Sequence, residues 1–319
     1  MKVFHGSDTA VGVVASAANK NVFTANHFSH HNLTTLKTMY TRILPFVFVI
    51  FASFNLFAND VDWRCEPADV GLESDVLSNI DTIVQRSLDN KKIPGCVVCI
   101  GRNGRAAFVR SYGYRKPVDA NGAAVLMTDD TLFDMASLTK CIATTISVMI
   151  LVDARQVNID APVRDYLTEF DTPEKNMITV RQLLTHTAGF VPDNNIVDYN
   201  DGIATAWKRL LDLKPINKPG TRYTYSDVSF QVLGQLVERV SGQDINEFSR
   251  KNIFEPLGMN DTGFLPNAEL SKRAAPTMLD RPAGKVHDPR SFLTDGVAGH
   301  AGLFSTAKDI TIFADMLAG

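Results

Sequence analysis

Apolar positions recur at Val76, Ile80, Ile83, Val84 and Leu88, a spacing that lines one face of a helix and predicts an amphipathic helix early in the main domain. The period then changes. The run IPGCVVCIGRNGRAAFVRSYGY holds two β-rich stretches around Asn103-Gly104, a pair that accepts the positive φ angles of a tight hairpin turn, so two antiparallel strands are expected. After a polar loop, residues 137–152 are nearly all apolar or small, which predicts a helix buried on most of its surface. Further helical or mixed segments are expected in TVRQLLTHTAGF, GIATAWKRLLDL, SFQVLGQLVERVSG and INEFSRKNIFEPLGM, with stops at Gly189, Pro215, Gly242 and Pro256. Strand signals almost vanish after Tyr114. No internal repeat or long linker appears, so the pattern describes a sheet element followed by a helical region, not two linked modules.

A different apolar run lies upstream. Lys37 and Arg42 flank Met39 and are followed by ILPFVFVIFASFNLFA, ending in a small residue at Ala58. That layout predicts a secretory signal peptide over residues 39–58, with cleavage near Ala58 and a periplasmic or secreted product. The rival is a membrane anchor, which the run is too short to form at the roughly 20 residues a bilayer span needs. Residues 1–38 are rich in Asn, Ser, Thr and Ala, and translation starting at Met39 would exclude them. His27, His30 and His31 in that stretch suggest a metal site, but a biased polar tract is better read as an unstructured leader. Residues 59–74 then form the mature N-terminal segment, and 75–319 the main domain.

Composition narrows the partners. With 45% hydrophobic and 21% charged residues among 319, the chain can bury a sizeable core. A net charge of −3 and a pI near 6.2, with no basic block, leave no footprint for nucleic acid or an anionic membrane surface. Membrane contact is expected only through an uncleaved signal segment, and small or neutral partners are favoured. Four cysteines make no disulfide framework in so long a chain. Cys96 and Cys99, three apart in an expected strand, face opposite sides of it, which argues against a bond between them. No second ligand pair is spaced for zinc.

Chemistry enters at DMASLTK, residues 134–140, which runs directly into CIATTISVMILV. On a helix, Ser137 and Lys140 share a face, so hydroxyl and amine can meet. A serine hydroxyl becomes a nucleophile when a base takes its proton, and a lysine serves as that base when burial disfavours its charge. Backbone N–H groups at the helix start can also hold negative charge developing on an attacked carbonyl. The bland alternative is that Ser137 caps the helix and Lys140 snorkels to water. A second element, Tyr225-Ser226-Asp227, follows the Pro219-Gly220 turn, where a phenol can relay a proton, although an isolated tyrosine more often only packs. His186, before Gly189, suits a structural place at a helix end, satisfying terminal carbonyls. His287 and Asp288 are expected in a loop near the cleft.

Five blocks in order, FDMASLTKCIAT, ITVRQLLTHTAGF, KPGTRYTYSDVSFQVLGQLVERVSG, IFEPLGMNDTGF and GHAGLFSTAKDITIFADML, resemble the serine β-lactamase and penicillin-binding-protein superfamily in its class C-like branch. That branch holds class C β-lactamases, D-alanyl-D-alanine carboxypeptidases and related esterases. The resemblance implies an α+β fold, an antiparallel sheet flanked by helices and joined to a mostly helical region, with the site between them. It implies Ser137 as nucleophile, Lys140 as base and Tyr225 as catalytic tyrosine, with no cofactor and no metal.

Two departures stand out. The family's Y-x-N motif usually ends in asparagine, which can donate to substrate, whereas Asp227 when ionised only accepts, so the substrate contact expected of it changes character. The family's third motif, Lys-Thr-Gly or His-x-Gly on a strand, is matched by His300-Ala301-Gly302, but the surroundings resemble a turn that precedes that motif, so His300 is taken as a decoy. The chain is then expected to stop before its third motif, to lack the closing strands and an oxyanion N–H, and to be poorly stable alone. The function expected is an exported serine hydrolase acting through an acyl-enzyme on an amide, β-lactam or ester. The alternative is a non-catalytic fragment that keeps only the binding surface.

Overall fold

The computed structural model describes residues 10–16, 63–116, 123–278 and 280–318. The signal segment 39–58 and His27, His30 and His31 lie outside them. Among the described residues no helix is long and apolar enough to cross a membrane.

The predicted hairpin forms as β2 (Gly95–Arg102) and β3 (Arg105–Lys116), antiparallel from Gly95 opposite Gly113 to Arg102 opposite Arg105. Asn103 and Gly104 turn at φ +54° and +74°, the left-handed pair that matches the strand twist. β1 (Ala10–Ser16) takes the other edge of β2 and β4 (Val125–Leu126) the other edge of β3, giving the order β1-β2-β3-β4. β1 lies within the segment expected to be an unstructured leader; AVGVVAS is β-branched and apolar enough to pair.

Helix α1 (Ser74–Asp89) forms as expected, but its buried face is rotated from the predicted stripe. Val76 and Ile83 are exposed, while Leu77, Ile80 and Val84 pack on Cys96, Val98 and Phe108 of the sheet. Cys96 and Cys99 do face opposite sides: Cys99 joins the main core, and all four cysteines are free.

On that second face lies the helical region. A π-helical turn (Lys140–Thr145) leads into α2 (Ile146–Asp153); then come α3 (Val180–Leu184), α4 (Ile203–Leu211), α5 (Asp227–Ser241) and α6 (Ile245–Ser249). α5 is the central helix, with Val228, Phe230, Val232, Leu233, Leu236 and Val237 all buried. Gly242 ends α5 in the left-handed conformation as predicted. Pro256 does not end its helix. It sits inside a continuous helical run in which α6 passes through a π-helical turn (Arg250–Phe254) into α7 (Glu255–Leu257), and Gly258 makes the stop. Three short helices complete the set: α8 (Ala268–Lys272), α9 (Pro289–Leu293) and α10 (Ala307–Ala318).

The expected lack of strands after Tyr114 is corrected by a second, three-stranded sheet. β5 (Phe133–Asp134), β6 (Gly263–Phe264) and β7 (Leu303–Ser305) align in the order β5-β7-β6. Runs of two or three residues carry too few alternations to register as strands in a sequence. This small sheet matters because β5 leads straight into Ser137 and β7 follows directly on His300.

Candidate active site

Ser137 sits in the tight turn between β5 and the π-helical turn. Ala136, just before it, has φ +48°, a conformation costing a non-glycine residue about 1–2 kcal/mol. Several bonds hold it there. Ala136 N–H donates to Asp134 Oδ1 at 2.8 Å, Thr139 Oγ1 donates to the Ala136 carbonyl at 2.7 Å, and Met135 N–H donates to the Leu303 carbonyl at 2.8 Å. Asp134 is anchored in turn by His287, whose N–H donates at 2.8 Å and whose Nδ1 lies 2.9 Å from Oδ2. The Asp134 hydrogen bond raises the His287 pKa against the opposing effect of burial. Backbone strain held in this way is typical of reactive turns.

The Ser137 residue is exposed, yet Lys140 beside it is only 2% exposed. The Lys140 ammonium donates to Ser137 Oγ at 2.9 Å and to the His300 carbonyl at 3.0 Å. Its third neighbour is Asp227 Oδ1, an ion pair at 2.6 Å in which the oxygen lies off the hydrogen-bonding direction. The expectation that hydroxyl and amine meet in a desolvated setting therefore matches the geometry. Lys140 does not snorkel to solvent.

Asp227 opens α5, where a carboxylate suits the positive end of the helix dipole. Ser226 caps the helix by accepting from Ser229 N–H, and Asp227 N–H donates to the Pro192 carbonyl at 2.8 Å. Asp227, expected to contact substrate, is thus turned toward the lysine. Tyr225 precedes it, 43% exposed, with its ring centroid 5.0 Å from the Lys140 ammonium, a cation–π distance.

His186 supports that ring. The two ring centroids are 4.4 Å apart, and Phe230 lies 5.0 Å away on the same imidazole. His186 has φ +57° and accepts Ser226 N–H on Nδ1 at 3.0 Å. It lies at the end of α3 as expected, but the bond differs: the imidazole accepts from an amide and is not seen donating to terminal carbonyls. Burial, helped by the Lys140 charge, pushes its pKa down to about 4, so it is neutral at pH 7.

His300 and Asp288, to which the sequence attaches no role, stand behind the lysine. His300 is 1% exposed and lies outside any strand, in the turn before β7. Besides the bond from its carbonyl to Lys140, its Nε2 lies 2.9 Å from Asp288 Oδ1. Burial raises the Asp288 pKa, but the His300 hydrogen bond and charge and the Ser291 N–H outweigh it and hold the carboxyl below the usual range. The turn fits against α5 only because Gly299 meets Gly234 there; a Cβ on Gly299 would lie 2.1 Å from the Phe230 carbonyl oxygen. Thr144 Oγ1 donates to the Gly299 carbonyl at 2.6 Å, tying the π-helical turn to the same point.

Ligand atoms of Asp227, Asp288 and His300 lie within 4.8 Å of one another, a spacing a cation could bridge. The protein's own donors already meet them: Lys140 at Asp227, and His300 Nε2 with the Arg290 and Ser291 amides at Asp288.

A buried lysine on an exposed serine, on a mixed fold with an antiparallel sheet, defines a class of serine hydrolase scaffolds. The chain belongs to the beta-lactamase family, whose profile matches residues 80–319. It is 26% identical over 310 residues to a Salmonella agona protein provisionally named D-alanyl-D-alanine carboxypeptidase, covering 85% of this chain and 72% of that one. A Bacillus subtilis N-acetylmuramyl-L-alanine amidase is 27% identical, with 88% and 73% covered. Among solved structures, a class C beta-lactamase superposes with TM-score 0.64 at 22% identity, covering 76% of this chain and 64% of that chain. The octameric penicillin-binding protein homologue of Pyrococcus abyssi superposes with TM-score 0.61 at 24% identity, covering 75% and 56%. The chain thus spans under two thirds of these solved relatives.

Proposed function

We propose that the protein is an exported serine hydrolase that works by acyl transfer on an amide, β-lactam or ester carbonyl. The observation that carries this is the 2.9 Å bond between Ser137 Oγ and the ammonium of a lysine 2% exposed. In the resting arrangement Lys140 donates to the serine, so one ammonium proton has to leave before the amine can act as base. Asp227 Oδ1, at 2.6 Å, is the nearest acceptor after a small rotation of its carboxyl. The neutral amine then takes the Ser137 proton while Oγ bonds to the substrate carbonyl carbon. The Ser137 N–H, which has no acceptor among the described residues, can receive the developing oxyanion. Collapse breaks the bond to the leaving group, which is protonated from Lys140 with Tyr225 as the relay. Water then attacks the ester carbonyl, giving a proton to the now neutral Lys140, which returns it to Ser137 Oγ as the acyl–oxygen bond breaks.

The names of the relatives support cell-wall peptides and β-lactams as the substrates to try first. Export rests on the signal-peptide pattern of residues 39–58. A second reading, a binding protein without turnover, is favoured by one feature: as an ammonium ion-paired with Asp227, Lys140 holds no free lone pair to take the serine proton. A fluorescent penicillin separates the two. Covalent labelling lost in Ser137→Ala supports the hydrolase; folded protein that takes no label supports the binding protein.

A further inference from the structure

The α9 segment is tied to both walls of the lysine pocket. On one side, Asp288 accepts from His300 Nε2 at 2.9 Å, and Ser291 Oγ donates to the Ala301 carbonyl at 3.1 Å. On the other, Arg290 donates twice to the Asn194 carbonyl, at 3.0 and 2.6 Å, and lies 3.4 Å from Asp193. Asn194 is two residues from Pro192, whose carbonyl takes the Asp227 N–H. One short helix therefore braces the turn that offers a carbonyl to Lys140 and the loop that holds the carboxylate paired with it.

The His300 side chain has no other visible use. It is 1% exposed, so it reaches no ligand in the cleft, and its Nδ1 is buried without a partner among the described residues. A buried polar atom left unpaired destabilises a fold, and an apolar side chain of the same size would avoid the problem. What the imidazole supplies in exchange is the bond to Asp288, which fixes the main chain of residues 299–301 under the ammonium.

We propose that His300 and Asp288 are positioning residues for the reaction: through their hydrogen bond they hold the His300 carbonyl against Lys140 and so aim the amine at Ser137. The inference rests on the acyl-transfer mechanism above, but it concerns the seating of Lys140 and can be read without turnover.

Two measurements on the full chain test it. The first is reductive methylation of lysines with formaldehyde and a hydride, read by mass spectrometry. Lys140 is 2% exposed, and Lys175, equally buried with its ammonium on the Leu211 carbonyl, is the internal control. Both should stay unmodified in the wild type. In His300→Leu, Lys140 should be methylated at least tenfold faster while Lys175 stays protected; in His300→Gln, whose amide can still donate to Asp288, protection of Lys140 should return. The second is the rate of Ser137 acylation by fluorescent penicillin. His300→Leu should lower the limiting rate at least tenfold with the half-saturating concentration unchanged, and His300→Gln should recover it. Lys140 equally protected in wild type and His300→Leu overturns the proposal, whatever the acylation result. If Lys175 becomes reactive in His300→Leu, that variant has unfolded and Asp288→Ala, which leaves the imidazole in place, decides by the same two criteria. Wild-type protein that takes no penicillin would count against the hydrolase mechanism alone; the methylation ratio would still decide the role of the pair.

Discussion

His186 offers a quantitative link between acid stability and the candidate site. Its imidazole is packed among Tyr225, Phe230 and Tyr223, and burial together with the Lys140 charge lowers its pKa from 6.5 to about 4. The folded value is depressed, so the native state resists a proton that the unfolded chain accepts. Stability from this residue is present in full above pH 6.5 and is lost as pH falls toward 4. The displacement corresponds to about 3 kcal/mol; because the ring keeps partial solvent contact, screening reduces this to about 2 kcal/mol. The comparison is His186→Asn, which tolerates the φ of +57° and cannot titrate. Urea unfolding of both proteins at pH 7.5 and pH 4.5 gives two differences. The variant should be less stable at pH 7.5, from lost packing, and the gap should close by about 2 kcal/mol at pH 4.5. A gap that changes by less than about 0.5 kcal/mol would refute the argument that the buried ring excludes the proton.

Other outcomes follow from the same geometry. Gly299→Ala forces a Cβ to within 2.1 Å of the Phe230 carbonyl oxygen, so it should cost about 1–3 kcal/mol in denaturant unfolding and slow penicillin acylation by shifting the His300 carbonyl. Asp227→Asn leaves the Lys140 ammonium buried without its counter-ion and should destabilise by about 3–5 kcal/mol, whereas the double variant with Lys140→Met should recover much of that loss. Asp309, buried against Thr262 and the Asp261 amide, behaves oppositely to His186. Burial raises its carboxyl from 3.8 to about 6, so its stabilising effect is full below pH 3.8 and declines as pH rises through 6. Relative to Asp309→Asn, the wild type should lose about 2 kcal/mol between pH 4 and pH 7, measured by the same unfolding curves.

The parts of the site carried by local spacing were legible in the sequence. Ser137 and Lys140 are three apart, and the apolar run behind them foretells the desolvation of the amine. Asn103-Gly104 likewise names its own turn. The buried face of α1 was not legible, because Val76, Leu77, Ile80, Ile83, Val84 and Leu88 allow two adjacent stripes, and Cys96, Val98 and Phe108 on the sheet select between them. His300 was missed for a different reason. Its contact with Lys140 is made by a main-chain carbonyl across 160 residues, and a carbonyl has no signature in sequence. Asp288 joins the site through its bond with His300, and the strands β5 and β7 that bring these segments together are too short to be seen as a pattern.

The contact of Gly234 with Gly299 has a mechanical consequence. With no side chain between them, the central helix and the turn touch backbone to backbone, and neither can slide without the other. The anion at the head of that helix and the oxygen offered by the turn then travel as one rigid rear wall. Room for a bulky substrate has to come from the front, where Ser137 and Tyr225 face solvent, so changes that widen what the protein accepts belong in the loops at the mouth.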